Sequence, residues 1–445
     1  MISVPDKIAE ALREATVFPC VAKIYFTNGS SLTVDRDAFM QDGNRVVEGA
    51  GATSLPLGVA VERTIQLSLM NDTDYLGDYD FYNARIVVYI PFYDVDPATV
   101  TTTPGGEEGE EGVIPDESES PVPEDGISNT LVLDGGAEIA VVPIGEFTVI
   151  DPVSYGDVVT ITAVDNMYKT DYPYTTSLTF PASLGTIYQD ICWSCDLYCE
   201  TTAFPNSDFI VKTAPSGTYT FREVIGYIAM LAGGNASISR YGLLRIVPYD
   251  FSEESVQTLE NWISVTVGTD DIVVSGIQTT RTTTNSDGST ASDTVLYGSA
   301  GYVLEVENPL IAGQEEAALK LIGAGVMGVT FRKFEGDYIS YPLAEFMDVV
   351  EIVDRKGNAY RSVITDIDFT FCGITAMSNS AEAAIRNTRT YTSTATKVAR
   401  EATNAEEELR AKLSDVMYDL WLLRAVYMEV EVKDSLKSDW RDLKW

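Results

Sequence analysis

Two long stretches rich in β-branched and aromatic residues flank one compact unit, and that order limits the folds open to this chain more than any other feature. The unit is "TFREVIGYIAMLAGGNASISRYGLLRIVPYD", Thr220 to Asp250. Val224, Ile225, Ile228, Ala229, Leu231 and Ala232 recur at helical spacing and form one apolar stripe. Thr220, followed three residues later by Glu223, is a capping box that starts the helix. Gly233 and Gly234 predict its left-handed stop. The residues beyond predict a hairpin turning at Tyr241-Gly242.

The flanking stretches read as strands. Before the unit come "RTIQLSLMND", "NARIVVYIPFY" and "GGAEIAVVPIGEFTVIDPVSYGDVVTITAVDNM". After it come "WISVTVGTDDIVVSGIQTTRT", "STASDTVLYGSAGYVLEVE" and "FMDVVEIVDRKGNAYRSVITDIDFTFCGITAMS", interrupted by a short helix, "AGQEEAALKLIGAGV". The second stretch loosely mirrors the first, but no repeat is legible in the residues. At 445 residues the chain exceeds one core. It divides into an N-terminal helix (1–16), a β-rich region (17–180), a small α+β domain (181–255), a second β-rich region (256–385) and a C-terminal helix (386–445). Within the first region, 96–130 is Gly-, Pro-, Ser- and acid-rich. It buries too little apolar surface to offset the entropy of ordering, which predicts a mobile insertion.

From Ala395 onward, apolar or small residues step by three and four: Val398, Ala402, Ala405, Leu409, Leu413, Val416, Leu420, Leu423, then Tyr427 and Val430. This is a heptad seam with one stutter. So narrow a stripe suits a partner helix better than a broad globular core, and it predicts a coiled coil between identical chains.

Charge and composition narrow the function. The formal net charge is −37, from 67 acids against 30 Lys and Arg, which disfavours ordinary nucleic-acid binding. There is no histidine, so Ser-His-Asp and Cys-His catalysis and His-ligated zinc are excluded. Five cysteines are too few for a disulfide scaffold and suggest reduced thiols. Cys192, Cys195 and Cys199 share one face of a helix expected from about Thr186 and read as small buried apolar groups. A metal or redox site is the other reading, with Cys20 or Cys372 as the fourth ligand. No apolar run approaches the roughly 18 residues of a membrane span. "MISVPDKIAEALREATVF" lacks the basic start of a signal peptide.

Several segments resemble the tail-hub and tail-tip proteins of tailed bacteriophages. They are "NDTDYLGDYDFYNARIVVYI" (Asn71–Ile90), "IGEFTVIDPVSYGDVVTITAVDNMYK" (Ile144–Lys169), "VENPLI" (Val306–Ile311) and "YPLAEFMDVVEIVDRKGNAYRSVITD" (Tyr341–Asp366). In the helix–hairpin unit the matching residues are Thr220, Arg222, Glu223, Tyr227, Ile228, Ala229, Gly233, Asn235, Ala236, Arg240, Gly242 and Leu244. The resemblance spans about Val17 to Ser380. One departure is Met347, where the family usually has glycine before Asp348.

The resemblance implies a mainly β protein with α+β, made of two tube-like β-barrel domains, a small α+β domain and a C-terminal coiled-coil helix. It implies a virion structural protein assembled in the host cytoplasm. Three copies would form a ring joining the sixfold tail tube to the threefold tip, with distal tail proteins and a spike or fibre as partners. DNA would pass through the lumen without specific binding, and no cofactor, metal or catalytic residue is implied. Arg222 and Arg240 would either pair with acids of a neighbouring chain or be solvated ends. A receptor-binding tail adhesin is the alternative. A carboxylate-dependent cell-wall or polysaccharide hydrolase is a more distant one, marked by two acids about 5–9 Å apart in an aromatic cleft.

Overall fold

Alternation of apolar and polar residues turns the flanking stretches into antiparallel strands that bury one face. The computed structural model describes residues 20–93, 95, 127 and 129–381, except 41, 53, 133–135, 152, 216–217, 253–255, 285–289, 340 and 372, together with Ile8, Leu12 and Lys412. The chain separates into Met1–Ala384 and Ile385–Trp445. In the second part only Lys412 is described; it is helical and exposed. The seam Val398, Ala402, Ala405, Leu409, Leu413, Val416, Leu420 and Leu423 therefore lies outside the described residues, as does nearly all of 96–130. Of the expected N-terminal helix, Ile8 and Leu12 are helical and buried.

The first stretch forms β1 (Val21–Tyr25), β2 (Ser31–Val34), β3 (Arg45–Gly49), β4 (Arg63–Met70), β5 (Arg85–Phe92), β6 (Thr130–Val132), β7 (Glu138–Val149) and β8 (Val158–Val164). The middle forms β9 (Ala182–Ser183), α1 (Leu184–Ser194), β10 (Ile210–Val211), α2 (Phe221–Leu231), β11 (Gly234–Ile238) and β12 (Leu244–Pro248). The last stretch opens with β13 (Gln257–Leu259), β14 (Trp262–Val267), β15 (Ile272–Thr284), β16 (Thr290–Gly298), β17 (Tyr302–Glu305) and α3 (Glu315–Val326). It continues with β18 (Thr330–Phe331), β19 (Phe334–Ile339), β20 (Val349–Val353), β21 (Ala359–Val363), β22 (Asp366–Thr370) and β23 (Ile374–Asn379).

Twelve of these strands make one sheet in the order β14-β19-β23-β22-β3-β4-β8-β7-β5-β1-β2, with β6 added to β7. A repeat that the residues hide is plain in this order. Name four strands a, b, c and d by their sequence. Then β14-β19-β23-β22 reads a-b-d-c, and β3-β4-β8-β7 reads a-b-d-c again. Every neighbour in both units is antiparallel. The units join c to a, through β22 and β3, from Asp366 opposite Gly49 to Thr370 opposite Arg45.

The expected mainly β fold is present, but among the described residues neither β-rich region closes into a barrel by itself. A barrel returns its last strand to its first, but β22 gives its outer edge to β3 instead. Among the described residues the path stays open, ending at β14 and β2.

The sheet's inner face packs into cores. Ile65, Leu67, Ile86, Phe147 and Ile161 centre the first, which takes in Ile8 and Leu12 and also Phe369 and Phe371 from the last stretch. Phe334, Tyr338, Ile367 and Met377 centre the second with Val350 and Ile352. Helices α1, α2 and α3 share a third core with β11, β15 and β17. The three-turn helix α2 buries Val224, Ile225, Ile228, Ala229 and Leu231, as the stripe predicts. Its capping box is formed in both directions: Thr220 accepts from the Glu223 amide and the Glu223 side chain reaches back to Thr220. Gly233 supplies the left-handed stop, with φ +76°, whereas Gly234 already opens β11.

Candidate assembly surface

The helix–hairpin unit meets the sheet beneath the joint between its two halves. Arg240, at the hairpin tip, is buried. Its Nε donates to Glu345 Oε1 at 3.2 Å, and its Nη2 donates to the carbonyls of Pro342 and Ala344 at 2.9 and 3.0 Å. Arg245, on β12, holds the other oxygen of Glu345 at 3.2 Å. Glu345 thus bridges two guanidiniums. Burial pushes its carboxyl up, but Arg245 and Arg240 outweigh burial and hold it below its ordinary 4.5. Neither Arg222 nor Arg240 behaves as the sequence reading proposed. Arg222 pairs with Glu62 and Asp171 of its own chain, and Arg240 is a buried internal clamp.

A second buried group lies on the sheet itself. Arg63 shares the inward parity of Ile65 and Leu67 on β4, and Glu48 shares that of Val46 on β3. Their side chains pair at 3.3 Å. Arg63 Nη1 also donates to the Ile144 carbonyl at 2.9 Å, at a bulge where β7 carries one residue more than β5. Asp165 accepts from the Arg63 and Met167 amides at 2.9 and 3.0 Å. Burial pushes Asp165 up to about 7, although Arg63 and the two amides pull it down. A cavity of about 20 Å³ lies between these residues and Arg240, with Pro342, Ile367 and Phe369 in its wall. The hairpin, both β-units and the segment before β20 therefore meet at one desolvated ionic cluster.

Two backbone details fix this junction. Met347 has φ +76°, the left-handed conformation that glycine adopts without strain, so methionine stands where the resembling family has glycine. Its buried side chain offers a reason to tolerate that strain, because the sulfur accepts from Asn235 Nδ2 at 3.0 Å. Gly226, in α2, packs on the segment before β4: a Cβ there would sit 2.4 Å from the Gly58 carbonyl oxygen.

The outward face of the second unit is acidic. Side chains point out at Asp366 and Asp368 on β22 and at Glu335 and Asp337 on β19, between Ser264, Ala376 and Ser378. Arg45, on the neighbouring β3, pairs with Asp368 at 3.3 Å. In the first unit the same face carries Thr64 and Gln66 on β4 and Thr160 and Thr162 on β8, and Glu146 on β7 is neutralised there by Arg85 at 2.9 Å.

The thiols of Cys192 and Cys199 share a hydrogen bond, but not on one helix. Cys192 is buried in α1, the helix stops at Ser194 and Cys195 caps it. Cys199 lies beyond, bridged to Leu244, so the single helical face expected of the three does not form. Burial raises Cys195 to about 11, the range of an inert packed thiol. Among the described residues no group of three or more His, Cys, Asp or Glu is placed to hold a metal; Cys372 lies outside them. Three surface and interior hollows are lined by one carboxylate each, Glu305, Asp354 and Glu48, so none of the three supplies the acid pair that the hydrolase alternative requires. Among the described residues no helix is long and apolar enough to cross a membrane.

These features define a mainly β chain with a duplicated four-strand unit, clamped internally and open at its sheet edges. No family model and no curated protein matches the chain. Solved structures to which it is similar include the 43 kDa tail protein of prophage MuSo2 from Shewanella oneidensis, at 12% identity over 81% of this chain and 97% of that one, with a TM-score of 0.43. A prophage tail protein from Listeria monocytogenes is similar at 12% identity over 81% and 94%, with a TM-score of 0.44. A tail protein from Neisseria meningitidis is similar at 9% over 81% and 96%, with a TM-score of 0.43.

Proposed function

We propose that this protein is a virion structural component of a bacteriophage tail, a tail hub or tip in which three copies form a ring around the path of the DNA. The observation that carries the reading is the a-b-d-c order occurring twice in one sheet. Within the chain the two units meet through two different edges, a heterologous contact, and a second edge contact between chains would close such units into a ring. Two units per chain and three chains give six, the number needed to meet a sixfold tube. The two tube domains would be 17–180 and 256–385, each closing only in company with its neighbours. The heptad seam from Val398 to Leu423 would set the threefold axis and carry a spike or fibre.

Several features support this reading. The family-like segments Asn71–Ile90, Ile144–Lys169 and Tyr341–Asp366 supply strands or clamp residues of the sheet. The helix–hairpin unit has a structural task in it: it wedges the two units at a fixed angle, and its arginines act on the fold rather than on a substrate. The outward face of Glu335, Asp337, Asp366 and Asp368 would line the lumen and repel phosphate. The joint between chains is not a copy of the joint within the chain, because the outer edge of β7, which corresponds to β22, is already taken by β5.

The test is the mass of the full chain in solution and on its tail partners, together with the genome-ejection rate of virions in which Asp337 and Asp366 are replaced by lysine. The reading expects three copies per particle and slowed ejection. A stable single copy in both settings would overturn it.

A further inference from the structure

Among the described residues the outer edge of β14 has no partner strand, and it borders a basic groove in an otherwise acidic chain. Val265, Val267 and Gly268 of β14 and its end form one wall. The β20–β21 turn forms the other, with Asp354, Arg355 and Lys356, and Arg332 and Tyr360 close the floor. The groove holds about 430 Å³. Each cation is held differently. Arg332 pairs with Asp271 at 2.7 Å and stacks 4.1 Å from the centre of the Tyr360 ring. Arg355 lies 5.7 Å from the centre of the Trp262 ring, which places its charge over the start of β14. Lys356 is exposed, and among the described residues no acid pairs with it or with Arg355. The single carboxylate in the wall, Asp354, is occupied by the turn: Asn358, the Lys356 amide and Tyr360 all donate to it and hold it down at about 2.

We infer that this groove is a docking site for an acidic segment of a second copy of this chain, which adds beside β14 and sets its carboxylates against Arg355 and Lys356. The inference rests on the ring reading and names the contact that reading leaves open. Two arguments fix the occupant. An unpaired strand edge with no Lys or Pro of its own invites another backbone. And with 67 acids against 30 Lys and Arg, another copy of the chain is a ready source of carboxylates. Opposed charges of this kind steer association and fix register more than they add affinity.

The experiment mixes heavy-isotope-labelled and unlabelled full-length chains under conditions of assembly and treats them with a zero-length carboxyl-to-amine crosslinker. Mass spectrometry then reads which carboxylate joins Lys356. The expected result is mixed-isotope crosslinks at Lys356. They should be strongly reduced in Arg355→Glu chains, which keep the Lys356 amine, and at about 1 M salt, where the screening length falls to roughly 3 Å. Particle mass is measured on the same samples. Crosslinks at Lys356 confined to one chain, or absent while three-copy particles form, overturn the docking site and leave the ring standing. Absence of any multi-copy particle overturns the ring reading itself and the docking site with it. Because Arg355 is an exposed turn residue, the Arg355→Glu variant is expected to fold, and an unchanged circular-dichroism melt checks that.

Discussion

Replacing Glu345 with glutamine probes the clamp most sharply. The substitution keeps the side chain's size and removes only its charge. Arg240 and Arg245 would then remain in the interior with side-chain exposures of 5% and 15% and no carboxylate between them. Leaving a buried ion pair without one partner costs about 3–5 kcal/mol, because the surviving charge keeps its desolvation penalty and loses its compensation. Glu345→Gln should therefore lower the unfolding free energy by that order, read as a shift of the urea midpoint without a change in slope.

The sign with pH follows from the same carboxyl. Its folded value lies below the ordinary 4.5, so its contribution is present above about pH 4.5 and fades as pH falls through the folded value. The stability gap between wild type and Glu345→Gln should close on acidification. Converting Arg240, Arg245 and Glu345 together to apolar residues of similar volume should cost less than Glu345→Gln alone, because no buried charge is then left without a partner. A loss for Glu345→Gln within about 0.5 kcal/mol, the range of ordinary surface changes, would show that the cluster is not desolvated and would refute the clamp.

Other expectations are as direct. Gly226→Ala gains up to about 1 kcal/mol of helix propensity, but its Cβ would press on the Gly58 carbonyl, an overpacking worth about 1–3 kcal/mol; thermal melts should show net destabilisation, and a raised midpoint would contradict the packing. Asp165, raised to about 7 from its ordinary 3.8, stabilises the fold fully only below about pH 4 and loses that contribution as pH rises through about 7. Carboxyl NMR should therefore find a group titrating near neutrality, and a midpoint at or below 4 would disprove it. Leu409→Lys with Leu413→Lys places two charges in the heptad seam and should convert three-copy particles to single chains by sedimentation; particles that keep their mass would remove the coiled coil from the account.

The elements were legible where one local rule decided them. The capping box at Thr220 and Glu223, the stop at Gly233 and the stripe of α2 all follow from spacing, and each is formed. The strands followed from alternation, yet their partners did not. Pairing β22 with β3 joins residues more than 300 positions apart, and no local pattern encodes that. The repeat was hidden for the same reason: its two copies share strand order, not residues, and different excursions interrupt them, β5 and β6 in one, and β15 to β18 with α3 and then β20 and β21 in the other. Arg63 and Glu48 could have been found, since each falls on the inward parity of a strand whose other inward residues are apolar. Glu345 could not, because it lies in a turn whose burial is set by Arg240 from a distant hairpin. The cysteine face failed because α1 ends before Cys195, with no glycine or proline to announce it.

The central claim is that two a-b-d-c units per chain build a six-unit wall from three chains. Electron cryomicroscopy of the assembled full-length protein tests it most directly. The account predicts a ring of three copies around an open channel, with six four-strand repeats lining it and Glu335, Asp337, Asp366 and Asp368 facing inward. Separate subunits, or an assembly in which that face looks outward and no channel exists, would contradict it.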